Sequence, residues 1–156
     1  MNFAIIFGSV TTEIKHYSDL TKDEFHDIIA LRMAVFVVEQ NCPYQDLDGL
    51  DKDAYHVIIR NKNKVLATAR ILKPGVAYAE VAIGRVASAT DMRHLKLGHA
   101  LMQASMDFVQ SKMQESTVRL SAQSHLKGYY ARYGFEPTGK DYLEDGIPHQ
   151  KMKIIL

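Results

Sequence analysis

The sequence predicts a mixed α/β fold, in which one sheet with both antiparallel and parallel strand pairs is flanked by helices. Short β-branched runs separated by tight turns over residues 54–87 are typical of antiparallel strands joined by hairpins. Further along, a strand, a helix and a second strand follow one another over residues 81–122, and this crossover requires a locally parallel pair. With 156 residues, of which 47% are apolar, the chain is expected to form a single domain over residues 1–156, its core at about residues 10–156.

Strands are predicted where β-branched and aromatic residues alternate with polar ones between turn residues. These runs are residues 10–17, 54–60, 65–72, 78–87, 117–122 and 149–156. The short apolar run at residues 3–7 is either a further strand or an ordered tail. The expected order is therefore strand, helix, three strands, helix, strand, helix and strand.

The first helix has a clear start in the sequence. Thr21 and Glu24 have the spacing of a capping box, and the helix that follows is predicted to end near Val38 with Met33 on its apolar side. Apolar residues recur at helical spacing in two later segments. These predicted helices are residues 97–114 and 126–133.

The central part of the chain has the features of an anion site. The strand predicted at residues 78–87 leads into a basic loop, Arg93 to Gly98, which opens the second helix. The first amides of a helix have no acceptor within the helix, and its dipole is positive at that end. This stretch therefore predicts a binding site for a phosphate-bearing cofactor.

Composition limits the class of protein. The 19 basic and 18 acidic residues nearly cancel, which disfavours a nucleic-acid partner. Cys42 is the one cysteine, so no intrachain disulfide can form, and the composition suits a reducing compartment. No basic leader precedes the first apolar residues, and no run approaches the roughly 18 residues of a membrane span. We therefore expect a cytoplasmic location and no membrane partner.

An acidic loop follows the first helix. Asp46, Asp48, Asp51 and Asp53 have roughly metal-like spacing, but the glutamate that ends a calcium-binding loop is missing. A solvated or capping role is predicted instead, and no metal site is expected.

Four stretches of the chain resemble the GCN5-related N-acetyltransferase (GNAT) superfamily, and within it the ElaA-like group. The resemblance covers nearly everything after residue 10, and it includes Arg93-x-x-Lys96-x-Gly98 in place of the superfamily's Q/R-x-x-G-x-G/A pyrophosphate loop. The four stretches are residues 31–53, 83–87, 93–98, and 130–135 together with 145–149.

The resemblance implies acetyl-CoA as cosubstrate. The backbone of Val86 and Ala87 would bind the pantetheine arm, and a plain core strand at these residues is compatible with this, because the contact is made by their amides. Arg93 would support the pyrophosphate with its side chain, the alternative being a solvated loop charge. The pyrophosphate itself would contact the amides of His94, Leu95, Lys96, Leu97, Gly98 and His99.

Lys96 departs from the family pattern, because it stands where the first glycine of the loop is usual. Glycine there lets the backbone approach the pyrophosphate closely. A lysine can hold the same backbone shape if its φ stays negative, and its ammonium then adds a phosphate contact. Alternatively the loop is wider and the affinity for the cofactor is lower; retained binding is the expectation.

The resemblance places Tyr130 at the position of the family's general-acid tyrosine. A thiol ordinarily titrates near 8.5 and a phenol near 10, so a phenol beside the leaving sulfur can donate a proton or hydrogen bond to it. Tyr129 and Tyr133 lie close by in the sequence, and we expect one of the three to face the sulfur. The alternative role for Tyr130 is packing on the sheet.

The acceptor amine must lose a proton before it attacks. Glu39 and His56 are the candidate catalytic bases and His149 is a further one, with transfer through water as the alternative. Glu39 and His149 are also candidates for binding the acceptor. Arg32 would bind a carboxylate of the acceptor, or else form a structural ion pair with Asp48 or Asp51.

The sequence therefore predicts an N-acetyltransferase that moves an acetyl group directly to a primary amine of a small molecule or peptide. A covalent intermediate is disfavoured, because Cys42 has no neighbouring histidine or second cysteine in the sequence. Two alternatives are a CoA-binding sensor or interaction module on the same fold, and an enzyme that takes a longer acyl-CoA. Residues 3–7 leave a homodimer open, since this apolar segment packs either on its own core or on a second copy.

Overall fold

The computed structural model describes residues 10–156 and forms an eight-stranded mixed sheet, which confirms the predicted fold class. The strands are β1 Val10–His16, β2 Tyr55–Asn61, β3 Lys64–Leu72, β4 Val81–Ser88, β5 Thr117–Gln123, β6 Glu136–Pro137, β7 Tyr142–Glu144 and β8 Ile147–Ile155. Their order in the sheet is β1-β2-β3-β4-β5-β8-β6, and β7 pairs with β8. The helices are α1 Lys22–Met33, α2 Leu97–Ser111 and α3 Lys127–Ala131. The predicted segment at residues 3–7 lies outside the described residues.

Helix α1 starts as its sequence indicates. The Thr21 hydroxyl accepts from the Glu24 amide, and the Glu24 carboxylate accepts from the Thr21 amide, so the capping box is complete. The helix continues as a π-helical segment, Ala34–Glu39, one residue past the predicted end. The placement of Met33 was wrong, since it is 49% exposed. The buried face carries Arg32 instead, because this side chain forms ion pairs inside the protein.

Strands β4 and β5 diverge soon after they pair, and this divergence shapes the site. They are parallel, but the only partners are Val81 with Val118 and Ala82 with Arg119. Farther along β4 the register with β3 shifts, and Arg85 has a φ of 49°. A bulge of this kind bends its strand and increases its twist. As β4 bends away, a gap opens in the sheet beside its second half.

Helix α2 covers one face of the sheet. Of the predicted apolar stripe, Leu97 and Leu101 are buried and Ala104 and Phe108 are half-buried, while Met102 and Val109 are fully buried beside it. No helix within residues 10–156 is long and apolar enough to cross a membrane.

The chain ends in a hairpin that the predicted element order omits. Strand β7 pairs antiparallel with β8, and the turn between them holds Asp145 and Gly146 with φ values of 51° and 77°. Asp-Gly is a common dipeptide in tight hairpin turns, because both positions require positive φ. The turn places Glu144 and His149 on adjacent strands of the hairpin.

Candidate active site

The gap between β4 and β5 opens into a groove of about 1400 Å³. The end of α1 and the acidic loop form one wall, and the β7–β8 hairpin lies at one end. The start of α2 and helix α3 close the other end. Several of the predicted site residues line the groove on β4, on α2 and elsewhere. They include Val86 and Ala87 on β4, Gly98 and His99 on α2, and Glu39, Tyr130 and His149.

The groove-side edge of β4 presents backbone groups to the gap. The Ala89 amide donates to the Leu66 carbonyl of β3 at 2.8 Å. Because backbone groups alternate in direction along a strand, the amide of Ala87 also faces β3, whereas those of Val86 and Ser88 face the groove. With β5 splayed away, these groups have no neighbouring strand to pair with. The backbone of Val86 is therefore available to a ligand lying in the gap.

The predicted pyrophosphate loop is a 3-10 turn, Thr90–Leu95, that leads into α2 through Lys96. Lys96 has φ 54° and ψ 37°, so the condition under which a lysine would hold the usual backbone shape, a negative φ, is not met. Its own amide donates to Arg93 and its carbonyl accepts from the His99 amide. Of the predicted amides, those of Leu97 and Gly98 open the helix, where helical amides have no internal acceptor.

Gly98 leaves room for a tyrosine at the start of α2. A Cβ at this position would lie 2.7 Å from the Tyr129 hydroxyl oxygen, so a side chain there would displace Tyr129. The Tyr133 hydroxyl donates to that of Tyr129 at 3.2 Å and lies 3.1 Å from His99 Nδ1. Burial raises the pKa of Tyr129, so its hydroxyl stays protonated. These polar groups border the loop that was predicted to bind pyrophosphate.

Arg93 and Glu39 form a pair across the groove. The guanidinium donates two hydrogen bonds to the carboxylate, and Nη2 lies 2.7 Å from Glu39 Oε2. The Thr90 hydroxyl donates to the same carboxylate at 3.0 Å. Hydrogen bonds from Arg93 lower the pKa of Glu39, so the group is ionised. A residue assigned to the cofactor and one assigned to the acceptor are thus joined, although 54 positions separate them in the sequence.

Tyr130 lies at the side of the groove with its ring in the core. It is 7% exposed and packs edge-on against Tyr129 and Phe135. Burial raises the pKa of Tyr130 to about 12. A phenol this weakly acidic remains protonated at neutral pH and presents a hydrogen-bond donor rather than a readily lost proton.

His56 and Arg32 lie away from the groove. His56 is fully buried, its Nε2 is 3.0 Å from the Asp51 carbonyl, and burial lowers its pKa. Arg32 is 1% exposed and donates to Asp46 at 2.8 Å and to Asp51 at 2.6 Å. Of the two roles open to Arg32, the geometry favours the structural ion pair. Neither side chain reaches an acceptor in this arrangement.

The acidic loop is held by three arginines. Arg70 donates to both oxygens of Asp48, at 2.8 and 2.9 Å, and Arg85 joins Asp46 and Asp48. Burial disfavours the charge on Asp48, but the hydrogen bonds from Arg70 outweigh it and lower its pKa to about 2. Within residues 10–156 no cluster of side chains has the arrangement of a metal site. The loop ties α1 to β3 and to the bulge in β4, and this role has no local sequence signal.

The hairpin end of the groove carries a histidine and a carboxylate. His149 Nε2 lies 3.3 Å from Glu144 Oε2, and Nδ1 lies 2.7 Å from the Ile147 carbonyl oxygen. Ser121 donates to the same Glu144 oxygen at 3.4 Å and also bonds to the Tyr142 hydroxyl. Glu144 was not among the predicted site residues; the Asp-Gly turn next to it was the signal that could have found it.

The comparisons with known proteins identify the class. The family model described as an acetyltransferase (GNAT) domain matches residues 16–156. The chain belongs to the GNAT family of acetyltransferases, and within it is ElaA-like. Members of this family use an acyl-CoA as cosubstrate and act on amine acceptors, so family and fold support acyl-CoA transferase activity.

Individual relatives agree with this assignment. Protein ElaA of Escherichia coli (strain K12) is 41% identical over 136 residues, which cover 86% of this chain and 89% of that protein. A UPF0039 protein of Schizosaccharomyces pombe is 37% identical over 144 residues, covering 91% of this chain and 95% of that one.

Solved structures give the same result. An acyl-CoA N-acyltransferase from Pseudomonas aeruginosa superposes with a TM-score of 0.89 at 42% identity, covering 94% of this chain and 99% of that one. Escherichia coli ElaA superposes with a TM-score of 0.86 at 38% identity, covering 93% and 99%. The acyl-homoserine lactone synthase LasI, with a TM-score of 0.69 at 15% identity over 94% of this chain and 89% of that one, shares the fold alone.

Proposed function

We propose that the protein is an acetyl-CoA-dependent N-acetyltransferase that transfers an acetyl group to a primary amine of a small molecule or peptide. One observation carries this proposal: β4 separates from β5 at the point where its backbone leads to the start of α2. A ligand in the gap meets strand-like hydrogen-bonding groups from Val86 and then the open amides of Leu97 and Gly98. An extended amide-containing arm that ends in phosphates has this pattern of groups.

The charges along the groove support the same orientation. Lys96, His99 and Arg132 line the end at α2, where an anion would bind. Glu144 and Asp145 line the end at the hairpin, where a cation would bind. Lys96 is exposed and sits at the positive end of the α2 dipole. That place is unfavourable for a lysine unless an anion lies nearby.

In the proposed mechanism the substrates react directly in a ternary complex. The Val86 amide donates to the thioester carbonyl oxygen and stabilises the negative charge that develops there. The amine nitrogen forms a bond to the carbonyl carbon while the bond from that carbon to sulfur breaks. Tyr130 donates a hydrogen bond to the leaving sulfur, since its raised pKa keeps the hydroxyl protonated. Most of the rate enhancement would come from positioning.

The test is thiol release from acetyl-CoA with a panel of primary amines, scored together with the acetylated product. One thiol released per amide formed supports the transferase. Saturable binding of CoA without thiol release for any amine supports the alternative, a CoA-binding sensor on the same fold.

The acyl group is tested separately, because the family assignment extends to acyl-CoA in general. We expect kcat/KM to be higher for acetyl-CoA than for octanoyl-CoA with the same amine. A preference for the longer chain would assign the protein to a different acyl donor and leave the groove assignment intact.

A further inference from the structure

Glu144 and His149 form a polar pair at the hairpin end of the groove. Nδ1 of His149 lies 2.7 Å from the Ile147 carbonyl oxygen, which only accepts hydrogen bonds, so Nδ1 carries the ring's proton. Nε2 then faces Glu144 Oε2 at 3.3 Å. In the neutral ring Nε2 has a lone pair, and the carboxylate oxygen has lone pairs too. With the ring protonated, Nε2 donates to Glu144; with the ring neutral, an ammonium group can donate one N–H to each of these two atoms.

The pair lines the groove at the level of Val86 along the sheet. Ala82 of β4 is level with Arg119 of β5, and Gln123 is paired with His149 of β8. Val86 lies four residues beyond Ala82 on β4, and Gln123 lies four residues beyond Arg119 on β5. Val86 is therefore level with Gln123 and with its partner His149, to within the one residue that the bulge at Arg85 adds. Val86, Glu144 and His149 all line the groove, which opens here because β4 and β5 have separated.

The groups around the pair hold the Glu144 carboxylate in place. Ser121 donates to Glu144 and bonds the Tyr142 hydroxyl, so it holds the carboxylate in place. Burial raises the pKa of Tyr142, which therefore adds no negative charge at neutral pH. Lys151, the nearby cation on β8, lies 5.5 Å from the centre of the Tyr142 ring.

Two more groups complete the surroundings of the pair. The Asp145 backbone carbonyl accepts from the Cys42 thiol at 3.6 Å, and both residues line the groove. The side chain of Asp145 adds a second negative charge at this end.

We propose that Glu144 and His149 together bind the ammonium group of the acceptor and that His149 Nε2 takes its first proton. This inference rests on the proposed function and names the acceptor class as a cationic primary alkylamine. One N–H of the ammonium donates to Glu144 and another transfers its proton to Nε2, which leaves a neutral amine. After the amine nitrogen bonds the acetyl carbon and the thiolate leaves, the second amine proton goes to the sulfur. The imidazolium releases its proton to water.

The first experiment measures binding without turnover. Propylammonium chloride is titrated into the protein while the His149 ring resonances are followed by NMR. We expect a saturable shift, absent with tetramethylammonium chloride, which has no N–H to donate. In Glu144→Gln the shift should require at least about tenfold more propylammonium, because a charge-assisted hydrogen bond is lost. No shift at His149, or an equal one in Glu144→Gln, overturns the proposal.

The second experiment uses turnover with two amines, propylamine and 2,2,2-trifluoroethylamine, the latter largely neutral at pH 7.5. Glu144→Gln should raise KM for propylamine about tenfold and leave trifluoroethylamine unchanged. His149→Asn keeps a donor for the Ile147 carbonyl but has no base, so it should lower kcat/KM for propylamine by about 100-fold. With the neutral amine the loss should be within about threefold, since no proton need be removed before attack.

Two control variants lie outside the groove, and different outcomes would overturn the cation site and the proposed function. His26→Asn and Glu115→Gln change exposed residues outside the groove and should behave as wild type with both amines. Equal losses with both amines in His149→Asn mean a structural role and overturn the proposal. Glu144 is 51% exposed, so its variant is expected to fold. If the wild type binds propylammonium at His149 but releases no thiol with any amine, the proposed function fails and the cation site stands.

Discussion

Lys96 gives a prediction that separates backbone strain from side-chain charge. It is an exposed lysine with φ 54° at the start of α2, where no side chain caps the helix. Lys96→Gly and Lys96→Ala both remove the ammonium, but only alanine keeps a Cβ in the left-handed region. The difference between these two variants therefore isolates the backbone.

The expected magnitude follows from the conformation. A left-handed backbone costs a residue with a Cβ about 1–2 kcal/mol. Glycine recovers this but loses roughly 0.5–1 kcal/mol through the greater freedom of its unfolded chain. We expect Lys96→Gly to be more stable than Lys96→Ala by about 1 kcal/mol, which for a chain of this size raises Tm by about 2–4 °C.

Thermal unfolding and acetyl-CoA titration are the assays. If the ammonium contacts a phosphate, both variants should bind acetyl-CoA about three- to tenfold more weakly than wild type at low salt. The difference should shrink as added salt screens the charge. A Lys96→Gly protein that binds much more tightly than wild type would refute this reasoning, because it would show that Lys96 holds the cofactor away. A Tm no higher than that of Lys96→Ala would refute the strain argument.

Three further predictions concern other parts of the site. Tyr130→Phe should lower kcat by about 100-fold without changing the affinity for acetyl-CoA. Because activity needs the protonated phenol, whose pKa is about 12, the kcat–pH profile of the wild type should show no loss from Tyr130 below pH 10. Unchanged turnover in the variant would remove Tyr130 from catalysis. Glu39→Ala frees Arg93 from an exposed ion pair worth up to about 1 kcal/mol. Because Arg93 can then bind the pyrophosphate without first leaving Glu39, CoA should bind about two- to fivefold more tightly by calorimetry. Weaker binding would contradict a competition between Glu39 and the cofactor for Arg93. The pKa of Asp48 is lowered from 3.8 to about 2, so the stability that its charge contributes is present above pH 4 and lost as pH falls through 2. Asp48→Asn should lower the free energy of unfolding by about 1 kcal/mol at pH 7, measured with urea, and should make that free energy fall less steeply in acid. A pH dependence parallel to that of wild type would count against the bond to Arg70.

Much of the fold could be predicted because its signals are local. The Thr21–Glu24 capping box depends on residues three apart. The strands on either side of the turn at residues 61–64 were each predicted to within one residue. Strand β4 begins at Val81, three residues later than predicted. The β7–β8 hairpin was omitted although its Asp145 turn carries a recognisable dipeptide.

The candidate site was harder to predict because its geometry depends on distant contacts. The separation of β4 from β5 depends on the bulge at Arg85, and an arginine with positive φ has no sequence signature. The sequence offered an ion pair of Arg32 with Asp48 or Asp51 as one of two roles, and the structure pairs it with Asp51 and Asp46; nothing near Arg32 in the sequence indicates that it is buried. Sequence patterns identify residue types suited to a reaction, whereas tertiary packing decides which of them face the groove.

The most direct test of the cofactor site is amide hydrogen exchange with and without acetyl-CoA, resolved to single residues by NMR. Binding in the gap between β4 and β5 should slow exchange at the groove-facing amide of Val86 and at the helix-start amides of Leu97 and Gly98. The amide of Ala87, which faces β3, should change little. Saturable acetyl-CoA binding that leaves the amides of Val86, Leu97 and Gly98 unchanged would contradict the assignment of the gap between β4 and β5 as the cofactor site.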